Sequence, residues 1–105
     1  MSQSFHTTSY ILGTGYADVF SATSNTLTLL VQAVNNAEYD VNCELYLTDG
    51  AHLTKSVIIP FQNLEPKKGV SDTTKHVIPS AWKLWGKASV AGVVYVEVTT
   101  LEGVP

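Results

Sequence analysis

The sequence feature that most constrains the fold is an alternation of apolar and polar side chains over residues 40–48. The apolar positions share one face and the polar positions the other: Val41, Cys43, Leu45 and Leu47 against Asn42, Glu44, Tyr46 and Thr48. Because successive side chains of a β-strand point to opposite sides, a period of two predicts a strand with one buried face. The same pattern returns near the C-terminus, where Val94, Val96 and Val98 alternate with Tyr95, Glu97 and Thr99.

Similar short runs, separated by turn residues, extend over most of the chain. Strands are predicted at residues 16–22, 26–34, 40–48, 52–59, 73–78, 81–89 and 93–101, and residues 1–12 form either an edge strand or an extended N-terminal arm. Asp49-Gly50 predicts a type I′ hairpin turn, Pro60 the end or the edge of a strand, and residues 62–72 a polar loop. About eight strands without helical periodicity predict an all-β chain, either an antiparallel β-sandwich or a closed barrel. We favour a single β-sandwich over residues 1–105, of the jelly-roll or immunoglobulin-like kind.

The composition excludes several classes of function. With 45% hydrophobic and 14% charged residues the chain is too apolar to be disordered, and its apolar stretches are far shorter than the roughly 20 residues of a membrane helix. No secretory signal is expected at the start, so the product is expected to be made and used in the cytosol or exported by lysis. The net charge is −3 and every basic residue is a lysine, which argues against binding to nucleic acid. The low charged fraction also indicates that partners cover part of the surface.

No cluster of residues with catalytic or metal-binding chemistry is evident. The three histidines, His6, His52 and His76, fall in separate segments, where exposed strand and loop positions are expected for them. The acidic residues are scattered, and the sequence holds no nucleophile elbow and no phosphate-binding glycine loop. Cys43 falls on an apolar face, where a buried, inert thiol is expected. The chain is therefore predicted to be no enzyme and to bind neither metal nor cofactor.

Aromatic residues and two lysines are the candidates for recognition. The odd spacing of Trp82 and Trp85 places them on opposite faces of a strand, so at most one belongs to the core. The alternatives for the pair are core packing, with one of them under the 62–72 loop, a contact between subunits, or a platform for a ligand. Lys67-Lys68 is either a solvated turn or a salt-sensitive contact to an acidic neighbour. The predicted interaction residues are Phe5, Tyr10, Trp82, Trp85, Tyr95, Lys67 and Lys68.

The order of these segments resembles a family of small β-sandwich proteins from the virions of tailed bacteriophages. The segments that carry the resemblance are residues 19–22, 26–35, 41–47, 57–60, 81–88 and 93–101, and together it spans roughly residues 15–102. The chain departs from the family pattern in the longer, more charged segment 65–72 and in the paired Trp82 and Trp85. Members of such families decorate capsids, build necks and tails, or brace fibres, so the resemblance implies a virion location without saying which part.

The resemblance implies a non-enzymatic virion component whose partners are copies of itself and other capsid, neck or tail proteins. Exposed sheet edges would supply much of the binding, and the N-terminal segment 2–12 is expected to be free to add as a strand to a neighbour. Trp82 or Trp85, together with Tyr95, would anchor the contacts. The rival hypothesis is a carbohydrate-binding module that recognises host surface glycans through one of the two tryptophans.

Overall fold

In the computed structural model, which describes residues 4–53 and 55–104, the chain is built from β-strands. Their bounds are β1 Ser4–Ile11, β2 Ala17–Ser21, β3 Thr26–Asn35, β4 Val41–Thr48, β5 Lys55–Leu64, β6 Gly69–Asp72, β7 Val77–Ile78, β8 Lys83–Ala88 and β9 Val94–Glu102. No helix occurs in the described part, and hence no apolar helix that would cross a bilayer. The prediction of an all-β chain is confirmed.

The strands form two antiparallel sheets, which confirms the predicted β-sandwich. The first sheet has the order β1-β9-β3-β6, with β7 also paired to β3, and the second has the order β2-β8-β4-β5. Strand β6 pairs with residues 31–34 of β3, and β7 pairs with Thr26 and Leu27 at the other end of β3. The strands β6 and β7 therefore act as two halves of one interrupted edge strand.

With β6 and β7 counted as one strand, the pairings are nested around the middle of the chain. The innermost pair is β4 with β5, followed outward by β3 with β6 and β7, β2 with β8, and β1 with β9. Successive pairs belong alternately to the second and the first sheet. A long hairpin rolled up in this way is the eight-stranded jelly roll, so the topology selects the jelly roll over the immunoglobulin-like alternative.

The core lies between the two sheets, where the alternating strands direct their apolar faces. In β9, Val94, Val96 and Val98 are fully buried while Tyr95 is exposed, as the alternation predicts. In β4 the apolar face is also buried, but Glu44 and Thr48 on the opposite face are buried as well. The polar face of β4 is therefore less solvated than the alternation predicts: the Tyr16 hydroxyl donates to Glu44 there, and Asn42 and Tyr46 remain only partly exposed.

The segment 62–78 differs most from its prediction. Instead of a loop at 62–72 followed by a strand at 73–78, β5 continues to Leu64, β6 follows at Gly69–Asp72, and β7 contains only two residues. A tight turn joins β5 to β6, with the Lys68 amide donating to the Glu65 carbonyl at 3.0 Å. The charged and proline residues of this short turn between β5 and β6 thus resemble a long polar loop in the sequence.

Two further turn predictions need correction. The prediction of a two-residue turn at Asp49-Gly50 is wrong, because β4 ends at Thr48 and β5 begins only at Lys55. Within this longer connection it is His52 that has a positive φ, of 60°. Strand β5 also continues through Pro60. It can do so because β5 is the outer strand of its sheet and Pro60 lies where the register with β4 shifts, opposite Glu44. The edge position predicted from Pro60 is confirmed, and the strand end is not.

The N-terminal segment is paired within the chain. Strand β1 is in register with β9 over its full length, from Ser4 opposite Glu102 to Ile11 opposite Tyr95. Leu12, which follows β1, has no exposed surface and belongs to the core. Residues 4–11 therefore form an edge strand of the first sheet, which is the first of the two predicted alternatives, and residues 1–3 lie outside the described part.

Candidate interaction surfaces

An aromatic cluster lies on the outer face of the second sheet, around Trp85 of β8. The ring of Tyr16 stacks on the indole with a centroid distance of 4.1 Å and an angle of 22°, and the ring of His52 stacks on it at 4.5 Å and 24°. Two rings at these distances would overlap if they shared one face of the indole, so they cover opposite faces. Tyr46 of β4, opposite Trp85 in register, lies 6.3 Å from Tyr16 and extends the cluster.

Lysines add cation–π contacts to this cluster. The Lys55 Nζ lies 5.1 Å from the ring centroid of Tyr46, 5.6 Å from that of Trp85 and 6.0 Å from that of Tyr16. The Lys87 Nζ lies 4.6 Å from the centroid of Tyr16. An ammonium group within about 6 Å of an aromatic ring is attracted to its electron-rich face. The lysines therefore cover the rings that the strands bring together.

Two carboxylates fix the edges of the cluster. The Asp18 carboxylate accepts hydrogen bonds from His52 Nε2 at 2.8 Å and Lys83 Nζ at 3.0 Å. Burial opposes the ionisation of Asp18 and is the largest single effect, but these two partners outweigh it and hold the pKa of Asp18 below its ordinary value. The Tyr16 hydroxyl donates to Glu44 Oε1, and that bond, with burial and the charge of Glu44, raises the pKa of Tyr16 well above its usual range.

The tryptophans do lie on opposite sides of β8, and the Trp85 indole presents no open face. Trp85 is enclosed between Tyr16 and His52, whereas Trp82 packs against the core from the segment just before β8. Its backbone carbonyl accepts from the Ala22 amide, and its own amide donates to the Pro79 carbonyl. The segment 62–72, expected to cover one tryptophan, instead forms parts of β5 and β6. A flat aromatic platform for a ring-shaped ligand is therefore not formed by Trp85.

The outer face of the first sheet carries two rows of apolar side chains, one at each end. Residues opposite one another in antiparallel strands share a face, and this register defines the Phe5 row, made of Phe5, Leu101, Leu27 and Val77 on β1, β9, β3 and β7. The exposed fractions of Phe5 and Val77 are 71% and 54%, so the row faces solvent. Polar residues of the same strands separate it from the second row.

The second row, called the Ile11 row, consists of Ile11, Tyr95 and Val34 on β1, β9 and β3. Ile11 is 50% exposed and Tyr95 is 44% exposed. A shallow groove between β1 and β9 is lined by Tyr10, Ile11 and Tyr95 together with Ser9, Val96 and Glu97. Tyr10 and Tyr95, both predicted as interaction residues, thus lie at the same end of the sheet, but Tyr95 is on the outer face while Tyr10 packs against the core. Phe5 lies at the far end of the same sheet.

The remaining predicted residues lie apart from these rows. Lys67, with a positive φ of 60°, donates from Nζ to the Asn36 carbonyl at 2.8 Å and forms an ion pair with Glu38 at 3.3 Å. Lys68 is exposed, and its backbone carbonyl accepts from the Asn35 amide. The Lys67 side chain therefore links the β5–β6 turn to the neighbouring connection between β3 and β4.

The histidines and the cysteine do not converge. Each histidine pairs with its own carboxylate: His6 with Glu102, His52 with Asp18 and His76 with Asp72. Burial, with the charge of Glu44, raises the pKa of the Cys43 thiol to about 11. The described residues contain no group of three or more histidine, cysteine or acidic side chains placed to hold a metal ion.

Sequence reasoning missed the residues that surround Trp85 and those that complete the apolar rows. Tyr16 and His52 come from segments distant in sequence, and only the topology brings them to Trp85. Tyr46 was detectable, because it occupies the polar face of the β4 alternation. For the apolar rows the register between strands is the necessary information, because the sequence does not show that Leu27, Val77 and Leu101 lie beside Phe5.

Comparisons with known proteins identify the fold. No protein-family model and no curated protein sequence matches the chain. Among solved structures, the chain is similar to one in the acidic stable capsid structure of Helicobacter pylori bacteriophage KHP30, with a TM-score of 0.62 and 10% identity over 98% of this chain and 89% of that one. It is also similar to a chain of the T13 IBDV viral particle, with a TM-score of 0.53 and 10% identity over 95% of this chain and 31% of that one. The fold is thus a β-fold found in viral capsid structures.

Proposed function

We propose that the protein is a non-enzymatic structural component of a tailed-bacteriophage virion. It decorates or cements the capsid, or forms part of the neck or tail, by contacts with copies of itself and with other virion proteins. The observation that carries the proposal is the likeness to the bacteriophage KHP30 capsid structure, in which the matched regions are nearly the whole of both chains. This coverage supports the proposal because the sandwich matches most of the capsid chain and not one domain of a longer one.

The Phe5 row supplies the contact surface in this proposal. Its outer members, Phe5 and Val77, are more than half exposed although both are apolar, and Leu27 and Leu101 join them into one continuous strip across four strands. A contiguous apolar patch is typical of a protein interface, whereas single exposed apolar residues are ordinary. Virion neighbours packed on this strip would remove it from water.

The proposal is tested on particles. Particles produced by the bacterium that carries the gene are purified on a density gradient, and the chain is quantified by mass spectrometry against the major capsid protein. We expect the chain to co-purify at a fixed ratio that survives a high-salt wash. A chain that is abundant in the lysate and missing from intact particles overturns the proposal.

The contact surface is tested by adding recombinant chain back to particles made without it. Val77→Thr and Leu27→Thr should lower the bound amount at least several-fold, because each makes part of the Phe5 row polar. Leu53→Ser is the matched control, since Leu53 is 84% exposed in the connection between β4 and β5, away from that row. Equal binding by all variants would place the contact on another face.

The carbohydrate-binding alternative has less support from the geometry. A sugar ring stacks on an open aromatic face, and both faces of the Trp85 indole are already covered by Tyr16 and His52. Titration with host surface glycans, followed by tryptophan fluorescence, should give no saturable change. A saturable change that Trp85→Phe removes would favour the carbohydrate-binding module instead.

A further inference from the structure

The outer edge of β1 is an open row of hydrogen-bonding groups. The Leu12 amide donates to the Val94 carbonyl of β9 at 2.9 Å. Because amides alternate in direction along a strand, the even-numbered residues of β1 bond to β9 and the odd-numbered ones point away from it. The amides and carbonyls of Phe5, Thr7, Ser9 and Ile11 therefore face outward, and no described residue pairs with them.

The other sheet edges carry features that oppose pairing, and β1 does not. Strand β5 contains Pro60 and two register shifts, β2 is short and bulged beside the charged Asp18, and the β6–β7 edge is interrupted. Strand β1 is eight residues long, keeps an unbroken register with β9, and contains no proline, lysine or acidic residue. Proteins protect edges that must stay single, so an unprotected regular edge points to a strand that pairs.

We propose that two copies of the protein pair through β1 in antiparallel orientation about a two-fold axis at Thr8, joining their first sheets into one. In this register Phe5 lies opposite Ile11 of the second copy, and Thr7 opposite Ser9. The four outward-facing residues of each strand then all form hydrogen-bonded pairs. The inference goes beyond the proposed function, since such a dimer forms in solution whether or not the protein enters a virion.

The side chains of β1 are self-complementary in this register. On the outer face the apolar Phe5 meets the apolar Ile11 twice, and the hydroxyl-bearing Thr7 and Ser9 meet each other. On the inner face Thr8 meets its own copy and His6 meets Tyr10. No like charges are opposed, which is the condition a symmetric strand pair must satisfy. The β1 edge is therefore complementary to the β1 edge of a second copy of this chain.

The two apolar rows become continuous across the proposed dimer. The Phe5 row ends at Phe5 on the outer edge of one copy, and the Ile11 row ends at Ile11 on the outer edge of the other. Pairing of Phe5 with Ile11 joins them into a single stripe from Val77 of one copy to Val34 of the other. A register shifted by two residues, with Thr7 opposite Thr7, places Phe5 opposite Ser9 and breaks this stripe.

The dimer is tested by light scattering after size exclusion and by sedimentation over a range of concentrations. We expect the wild type to associate reversibly to a dimer, and Thr7→Pro to be monomeric. The Thr7 amide faces outward, so proline there removes a free donor and leaves the bonds to β9 intact. Thermal unfolding and circular dichroism verify that the variant is folded. A wild type that stays monomeric at millimolar concentration overturns the inference, as does a folded Thr7→Pro variant that still dimerises.

Paired charge substitutions test the register and do not depend on tolerance of proline. In the double variant Thr7→Lys with Ser9→Lys, like charges oppose each other, and the dimer should weaken at least tenfold at low salt. In Thr7→Lys with Ser9→Asp, opposite charges face each other twice, and dimerisation should recover. The proposed register is contradicted if Thr7→Lys with Ser9→Asp fails to dimerise, or if the two double variants dimerise equally. Absence of the protein from particles would not affect these results, so the two proposals fail separately.

Discussion

At the residue scale, Asn35 is the most connected polar side chain in the described part. It is fully buried at the end of β3, and its amide nitrogen lies 2.7 Å from the Tyr39 carbonyl and 3.0 Å from the Leu64 carbonyl. Its Oδ1 accepts from the Ala37 amide at 2.9 Å. One side chain thus holds the end of β3, the start of the next connection and the end of β5 together.

We expect Asn35→Ala to lower the free energy of unfolding by about 3 kcal/mol, because it leaves several buried backbone groups without partners. The neighbouring Asn36→Ala is the control. Asn36 is exposed and uses its backbone for its bonds to Lys67 and Val93, so it should change stability by less than about 0.5 kcal/mol. Urea unfolding of both variants measures the difference, and equal losses would show that Asn35 acts through its backbone alone.

Thr100, unlike Asn35, lowers the stability of the fold. Thr100 is fully buried, and its hydroxyl has no hydrogen-bond partner among the described residues. Valine has the same shape without the hydroxyl, so Thr100→Val should raise the free energy of unfolding by about 1 kcal/mol. Thr26 is equally buried but donates its hydroxyl to the Ser24 carbonyl at 2.9 Å, so Thr26→Val should lose about as much. Thermal unfolding should move the two variants in opposite directions.

At the element scale, β8 passes unusually close to β4. A Cβ at Gly86 would lie 2.7 Å from the Glu44 carbonyl oxygen and 3.0 Å from the Leu45 Cγ, in the middle of the sheet. We expect Gly86→Ala to destabilise the protein by about 2 to 3 kcal/mol, because backbone must move to admit the methyl group. Gly13→Ala, where nothing lies within 4 Å, should be neutral or stabilising by up to about 1 kcal/mol. Chemical denaturation compares them.

Elements with two unlike faces were predictable from the sequence, and those shaped by their neighbours were not. Strand β9 follows its pattern because Val94, Val96 and Val98 face one continuous core. The β5–β6 turn was misread because Pro66 and Lys67 are common in both tight turns and long loops. The loop after β4 was misread because Asp49 caps the Leu53 amide through its side chain, so a longer connection replaces a two-residue turn.

At the scale of the whole molecule, the class of fold was predictable and the topology was not. Alternation reports which face of a strand is buried, but not which strands are adjacent. The candidate surfaces depend on adjacency: Tyr16 and His52 meet Trp85 only because β2, β8 and β4 are neighbours, and the apolar rows exist only in the observed register. Phe5, Tyr10 and Tyr95 were accessible to sequence reasoning as aromatic residues, yet their arrangement on one sheet was not.

Acid stability is a property of the whole molecule that follows from two of its carboxylates. Asp18 links β2 to His52 and Lys83, and Asp72 accepts from His76 Nε2 at 2.9 Å and from the Thr74 amide at 2.7 Å. Burial of Asp72 opposes its ionisation most strongly, but these donors outweigh burial and hold its pKa, like that of Asp18, below the ordinary value. Both carboxylates therefore stabilise the folded state only while they are ionised.

Because the folded pKa values are depressed, this stabilisation is fully present above the unfolded pKa of about 3.9 and is lost as the pH falls through the folded values. The midpoint of thermal unfolding should therefore fall as the pH is lowered from about 5 to 2. The double variant Asp18→Asn with Asp72→Asn should be less stable at neutral pH and show a flatter decline over that range, since the groups that take up protons are gone. Glu38→Gln, which removes one carboxylate from a largely exposed side chain, should keep the wild-type decline. A double variant as steep as the wild type would assign the acid sensitivity to other carboxylates.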